Sequence, residues 1–481
     1  MALQPGVHIR RIFFALIILA GNVSALWAQE EISGIVNDYA RVTAVATSPP
    51  DNVTLDDVSS IIPGDTILLI QMQGVRIQTD NGVFGLLYLD KYGTPGAYEF
   101  LLVASVDAGA KKVYFTRYMQ NVYDVRGNVQ LVKVPYYDRA RVKGKLTADP
   151  WDPEKGTGGV LAMIVGSKLE IDSQDGEIDV SGLGFRGGAD TAGIADCIDN
   201  DYTSYSLDAY SRSWQNAGYK GEGASNYDLN DNKLYPSFAK GQGPTLTGGG
   251  GGNGKYSGGG GGSNRGAGSD GAREMSPSDG GCLAPLEGGK GGGKAGISTF
   301  YSAGVFAGGG GGASTRASGQ GVSPGGNGGG IVIILADTLS GNRRSIKANG
   351  GSASNVTGNA GAGGGGAGGS VVLSLRSFSK IANDTLKISV RGGNGGFRAS
   401  GWGTGGGGGG GLVALSAANV PGKVKIDTIY GTPVDNVTNK EGYYGDLVFN
   451  VIPKVNGFLF NAIRSEVTGN QKDSICSDTP F

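Results

Sequence analysis

The chain has a single histidine, His8, three cysteines among 481 residues, and no long stretch in which apolar residues recur at helical spacing. Each shortage excludes something. With His8 inside an N-terminal leader, the mature chain has no imidazole, the commonest general base and metal ligand. No apolar run after the leader is long enough to cross a bilayer as a helix, so no membrane insertion is expected once the leader is removed. Charge of one sign is also lacking. Without Arg10 and Arg11, 39 basic side chains face 42 acidic ones, which gives no electrostatic reason to expect nucleic acid or anionic lipid as a partner. Proline is sparse and no Gly-X-Y period runs through the chain, which excludes collagen.

Residues 1–28 read as a cleaved secretory signal. Arg10 and Arg11 precede a short apolar stretch over 12–20, and Ala25-Leu26-Trp27-Ala28 has the small-residue character of a cleavage site. The expected location is therefore extracellular, at the cell surface.

What is abundant is glycine, 92 of 481 residues, far above ordinary usage. It frames a recurring block of a glycine pair followed by a run of mostly apolar residues. The copies begin at Gly158-Gly159-Val160-Leu161, Gly329-Gly330-Ile331-Val332, Gly368-Gly369-Ser370-Val371 and Gly410-Gly411-Leu412-Val413. Each is followed by a second short strand, beginning near Ile178, Ile346, Leu386 and Val424. Such self-similarity predicts a stacked β architecture. The fold class expected is all-β: an N-terminal antiparallel β-domain, then a glycine-rich β-helix-like repeat stack with one long insert.

The expected domains follow from composition. Residues 30–149 carry apolar runs bounded by turn residues, such as Thr66-Ile67-Leu68-Leu69-Ile70 after Pro63-Gly64-Asp65, and read as a compact domain capping the open end of the stack. Residues 158–450 form the glycine-rich repeat domain, with an insert over 189–327. The insert holds five-glycine runs at 248–252, 258–262 and 308–312, interrupted by Tyr256, Phe300, Tyr301 and Phe306. These runs read as ordered glycine segments packed where backbones approach too closely for side chains, with a disordered linker as the alternative.

Candidate chemistry is thin. The Gly-Lys pairs are followed by Tyr256, Gly291, Ala295 and Val424, never Ser or Thr, so no Walker A loop exists. The run beginning Asp228-Leu229-Asn230-Asp231 lacks the central glycine and terminal glutamate of an EF-hand. A calcium site on Asp196, Asp199 and Asp201 is the competing reading of what is otherwise a polar loop. Asp172, Asp175, Glu177 and Asp179, or Asp228 and Asp231, could in principle serve a glycosidase, but alternating carboxylates are also what an exposed strand face shows. No catalytic residue, metal site or cofactor is expected. The insert aromatics Tyr202, Tyr205, Trp214 and Tyr219 are the candidate ligand contacts, because flat rings with polar edges suit sugar stacking and interfaces. A small local core is the bland alternative. Cys197 and Cys282 are a candidate disulfide closing the insert, with free thiols as the alternative.

Taken together, Pro63-Gly64-Asp65-Thr66-Ile67-Leu68-Leu69-Ile70-Gln71-Met72-Gln73-Gly74, Gly158-Gly159-Val160-Leu161, the run from Ile178 to Gly188 and the glycine runs resemble the N-terminal region of very large secreted surface proteins of the Bacteroidota. These are adhesin-like or gliding-motility-associated cargo of the type IX secretion system. Residues 451–481, with Ser474-Ile475-Cys476-Ser477-Asp478-Thr479-Pro480, look like a linker and the truncated start of an immunoglobulin-like or PKD-like repeat. The resemblance implies that such proteins continue into further repeats and a sorting domain, so this chain reads as a fragment or a shortened product.

The function expected is non-enzymatic: an extracellular structural or adhesive surface protein whose partner is a surface glycan or another cell-surface protein. A polysaccharide-active parallel β-helix enzyme and a passive spacer are the alternatives.

Overall fold

The computed structural model describes residues 29–77, 88–192, 217–225, 240–252, 256–274, 288–293, 304–316, 321, 324–379, 384–398, 403–416, 423–432 and 446–449. The first stretch forms β1 (Glu30–Ile35), β2 (Tyr39–Val45), β3 (Asn52–Leu55), β4 (Thr66–Gln71), β5 (Val75–Ile77), β6 (Tyr88–Lys91) and β7 (Tyr98–Asp107). After it come β8 (Lys112–Phe115), β9 (Val129–Lys133), β10 (Tyr136–Thr147), β11 (Val160–Ile171), β12 (Glu177–Asp179), β13 (Thr191–Ala192) and β14 (Thr315–Arg316). The repeats then supply β15 (Ile331–Ser340), β16 (Arg344–Lys347), β17 (Ser370–Phe378), β18 (Leu386–Ser389), β19 (Leu412–Leu415), β20 (Val424–Asp427) and β21 (Asp446–Phe449). The fold is all-β.

Each repeat is one rung of a parallel solenoid. Its long strand stacks in a first sheet, ordered β10-β11-β15-β17-β19-β21, and its short strand in a second, ordered β10-β12-β16-β18-β20. Strand β10 serves both: Tyr136–Val142 pairs with β11, and Lys145 and Leu146 pair with β12.

Alternation sorts the side chains. In the first sheet Leu161, Val332, Val371 and Val413 are in register and point between the sheets. Their neighbours Ala162, Ile333, Val372 and Ala414 point outward into a second core. These strands are buried on both faces, which is why they read as continuous apolar runs. The second sheet is buried on one face only. Ile178, Ile346, Ile388 and Ile426 form an inward column, while Asp179, Lys347, Lys387, Lys425 and Asp427 face solvent as a charge ladder.

The N-terminal domain is a closed antiparallel barrel, β2-β3-β8-β7-β4-β9. On β4, Ile67 and Leu69 fill the barrel. Leu68 and Ile70, with Phe100 and Val132, instead pack on Ala162, Ile164 and Ile333 of the first sheet. The barrel lies on the flank of the stack, because the first sheet's outer face is apolar and needs cover. The end of the stack is covered by β1 and β10 from within the same 30–149 stretch, β1 pairing in parallel along β10. Two amides weld barrel to stack. Asn37 Nδ2 donates to Ala162 O at 2.7 Å and its Oδ1 accepts from Ala162 N–H at 3.1 Å. Gln130 does the same at Gly158, at 3.0 and 2.9 Å.

Candidate functional site

The glycine segments continue the solenoid on the side where the long strands begin and the short strands end. Consecutive residues of one segment donate to three different neighbours in turn. Gly258 and Gly261 donate to Ala272 and Ser269, at 2.7 and 2.9 Å. Gly259 and Gly262 donate to Ala362 and Gly365, at 3.0 and 2.9 Å. Gly260 and Ser263 donate to Gly250 and Thr247, at 2.8 and 2.6 Å. The same segment accepts from three more: Gly289 and Gly292, Gly406 and Gly409, and Gly312 and Gly309. A partner change every residue with a return every third is the geometry of an extended threefold helix of the polyproline II kind, which has no internal hydrogen bonds. Six such neighbours around one segment make a close-packed lattice whose interior is backbone.

Only glycine fits there. A Cβ on Gly259, Gly261 or Gly262 would lie 2.0 to 2.1 Å from a neighbouring carbonyl oxygen. The other extended segments behave alike. Gly308 and Gly311 donate to Gly329 and Gly326, and Gly364 and Ala367 donate to Gly312 and Gly309. The lattice meets the barrel through Phe306. It is fully buried, with its ring beneath Gly96, where a Cβ would come within 2.6 Å of it. Phe306 is therefore a structural anchor.

The register fixes direction. Segments 217–222, 258–263, 288–293, 325–330, 360–369 and 403–411 run toward the sheets, three of them directly into β15, β17 and β19. Segments 184–188, 247–252, 268–272, 308–313, 348–351 and 390–396 run away. The described residues flanking 193–216, 253–255, 275–287, 317–320 and 399–402 consequently gather at one end, distal to the sheets. Strands β13 and β14 pair in parallel there, Thr191 opposite Thr315.

Two ring–cation pairs mark this distal end. Lys240 Nζ lies 4.5 Å from the centre of the Tyr219 ring, and Arg398 Cζ lies 5.6 Å from that of Tyr256. Both rings are half-buried while the cations are 7% and 6% exposed. Burial lowers the Lys240 pKa and raises that of Tyr256. The backbone holds each pair in place. Tyr219 bridges to Lys240 and its carbonyl accepts from Ala313 N–H at 2.8 Å. Arg398 bridges to Val356, beside the small buried cluster of Val356, Ala360 and Ala362. A half-exposed ring backed by a buried cation offers one apolar edge and face at a rigid position.

Of the four candidate ligand contacts, Tyr219 is placed at this end; Tyr202, Tyr205 and Trp214 lie outside the described residues. So do Cys197 and Cys282, and Asp196, Asp199, Asp201, Asp228 and Asp231. Sequence reading singled out Tyr219 but not its partner Lys240, nor the pairing of Tyr256 with Arg398. These partners are far apart in sequence and meet only because the lattice folds the chain back and forth.

Three of the carboxylates weighed for hydrolysis, Asp172, Glu177 and Asp179, are ion-paired on the solenoid. Asp172 accepts from Gln174 N–H at 2.7 Å and pairs with Arg141; these contacts hold its pKa low. Burial works against ionisation of Asp179. The hydroxyl and amide of Ser181 and the charges of Lys145 and Lys347 outweigh it, so its pKa is also low. Glu177 pairs with Lys347. A general acid needs the opposite shift. Among the described residues no group of three or more His, Cys, Asp or Glu could hold a metal ion, and no helix is long and apolar enough to cross a membrane.

Neither a family model nor a curated protein sequence matches the chain. Among solved structures it is similar to the tailspike of Acinetobacter baumannii bacteriophage AP22, in complex with A. baumannii capsular saccharide. The two are 12% identical with a TM-score of 0.17, over 88% of this chain and 58% of the tailspike chain. A likeness of that size carries no argument about fold or ligand.

Proposed function

We propose that the chain is a non-enzymatic surface protein of the extracellular space. In this reading it is a stiff adhesive scaffold that presents the distal end of its glycine lattice to a surface glycan or to another cell-surface protein. The observation that carries this reading is the gathering of the described ends of the lattice segments at one end, opposite the sheets. A solid lattice spends its interior on backbone hydrogen bonds and holds the ends of its described segments at fixed spacings. Preorganisation of that kind favours recognition, since little ordering entropy is lost on binding. The half-exposed Tyr219 and Tyr256 rings supply the flat surfaces that sugars and protein interfaces use. The low carboxylate pKa values at Asp172 and Asp179 support a structural part for the residues a hydrolase would need.

The test is binding of the secreted protein to a glycan array, with release of reducing sugar ends followed in parallel. The expected result is saturable binding without product. Tyr219→Ala and Tyr256→Ala should each weaken binding by about three- to tenfold, the worth of one aromatic contact, while leaving the β-sheet circular dichroism unchanged. Release of sugar ends would overturn the non-enzymatic reading. Unchanged binding in both variants would remove the distal end from recognition.

A further inference from the structure

Charge is spread unevenly over the outer face of the second sheet. Alternation turns Ile178, Ile346, Ile388 and Ile426 inward. Glu177 and Asp179 of β12, Lys347 of β16, Lys387 of β18, and Lys425 and Asp427 of β20 therefore lie on the opposite face. Lys145 of β10 extends that face opposite Glu177. Arg391 follows two residues beyond Ser389, its N–H donating to Asn349 Oδ1 at 2.9 Å. Five cations thus meet three carboxylates here, in a chain whose net charge is −1.

Most of these charges are paired. Lys145 pairs with Asp179 and Lys347 with Glu177, while Lys387 and Arg391 share Asp427 at 3.4 and 3.5 Å. The short acids lie low, with side chains 14–29% exposed, and the longer cations stand above them at 36–56%. Solvent consequently meets a basic surface even where the pairs are closed. Lys425 breaks the pattern. It is exposed, sits directly opposite Lys387 in register and, among the described residues, has no carboxylate partner. Like charges directly opposite each other on neighbouring strands destabilise a sheet. A local rule broken without a compensating contact points to a ligand that supplies one.

The spacing says what kind of ligand. Strands β16, β18 and β20 each offer one lysine, Lys347, Lys387 and Lys425, and neighbouring strands lie about 4.8 Å apart. An extended polysaccharide advances by a similar length per sugar, and uronic acid units carry one carboxylate each. The low-lying Asp427 suits sugar hydroxyls, which can donate to it, whereas a polyphosphate offers it no donor and is repelled. We propose that the outer face of β16, β18 and β20 binds a carboxylated polysaccharide laid across the rungs. Lys347, Lys387, Lys425 and Arg391 would meet its carboxylates and Asp427 its hydroxyls. This is a second contact face, on the stack rather than at the distal end, and it does not depend on recognition there.

Binding of the full chain to polygalacturonate tests it, with dextran as the uncharged polymer and double-stranded DNA as the phosphate polymer. The expected result is saturable binding of polygalacturonate alone, lost between about 0.05 M and about 0.5 M salt because exposed charges are screened. Lys387→Gln with Lys425→Gln should weaken it by at least about fivefold, whereas the charge-matched pair Lys112→Gln with Lys155→Gln, away from this face, should stay within about twofold. Lys425→Gln alone should hold or raise the urea midpoint, since it removes the like-charge contact. No binding at low salt, equal binding of DNA, or unchanged binding by the Lys387/Lys425 variant would overturn the proposal. A lowered midpoint for Lys425→Gln would overturn its premise. Recognition at the distal end is read separately, by the two tyrosine variants.

Discussion

Replacing Gly260 by alanine would put a methyl carbon 2.2 Å from the carbonyl oxygen of Lys290 and 2.5 Å from its carbonyl carbon. The obstacle is backbone, so no side chain can swing aside. To restore van der Waals separation the two segments must part by about 1 Å. Gly260 also donates to Gly250 and accepts from Gly312, each at 2.8 Å, and those segments are themselves fixed on other sides. Loss or stretching of one or two backbone hydrogen bonds costs about 1 kcal/mol each, and the overpacking about 1–3 kcal/mol. Against this, alanine restricts the unfolded chain and returns about 0.4–1 kcal/mol. The net expectation is a loss of about 1–4.5 kcal/mol. Gly321→Ala is the internal control, because an added Cβ there meets nothing within 4 Å and the backbone is not in the left-handed region. That variant should be neutral or gain up to about 1 kcal/mol. Urea unfolding followed by circular dichroism measures both. A Gly260→Ala variant within about 0.5 kcal/mol of the parent, well under the overpacking cost, would refute the lattice.

Ile388→Ala, in the middle of the inward column, should cost about 2–5 kcal/mol; a cost below about 1 kcal/mol, less than a buried Ile→Ala change normally carries, would mean that the column is not a packed core. Acid should destabilise the protein in a definite window. Asp172, Asp179 and Asp384 have pKa values held below the ordinary carboxylate range. They therefore stabilise the fold above the unfolded-chain value near about 4. That stabilisation is lost as pH falls through the lower folded values. The urea midpoint should drop from about pH 5 downward, and Asp179→Asn should flatten the drop; a midpoint independent of acid would contradict the ion-pair assignment.

The rungs are legible in the sequence for a physical reason. Strands buried on both faces leave unbroken apolar runs, as in Ile331-Val332-Ile333-Ile334-Leu335, and the half-buried strands leave alternation, as in Leu386-Lys387-Ile388-Ser389. The glycine runs announce close backbone approach, but glycine has no side chain with which to encode a neighbour. That 258–263 sits among 268–272, 362–365 and 405–409 is set by hydrogen-bond register alone. The flank position of the barrel escaped sequence reading for a related cause. Leu68 and Ile70 are as apolar as Ile67 and Leu69, so the pattern of β4 shows two buried faces without saying which one meets the stack. At the distal end Tyr219 could be singled out as an aromatic in a polar stretch. Lys240 and Arg398 could not, because a lone cation becomes a ring partner only once the lattice brings the two segments together.

Amide hydrogen exchange across the glycine runs tests the central claim most directly. If the runs form the lattice, the amides of 258–262, 308–312 and 405–409 should be protected to the same order as those of β15 and β17, since each donates to a backbone carbonyl or, for Gly407, to the buried Ser269 hydroxyl. Exchange of these amides at the rate of an unstructured glycine peptide, with β15 still protected, would contradict it. The glycine segments would then be linkers, and the distal end would lose the rigid placement on which the proposed recognition rests.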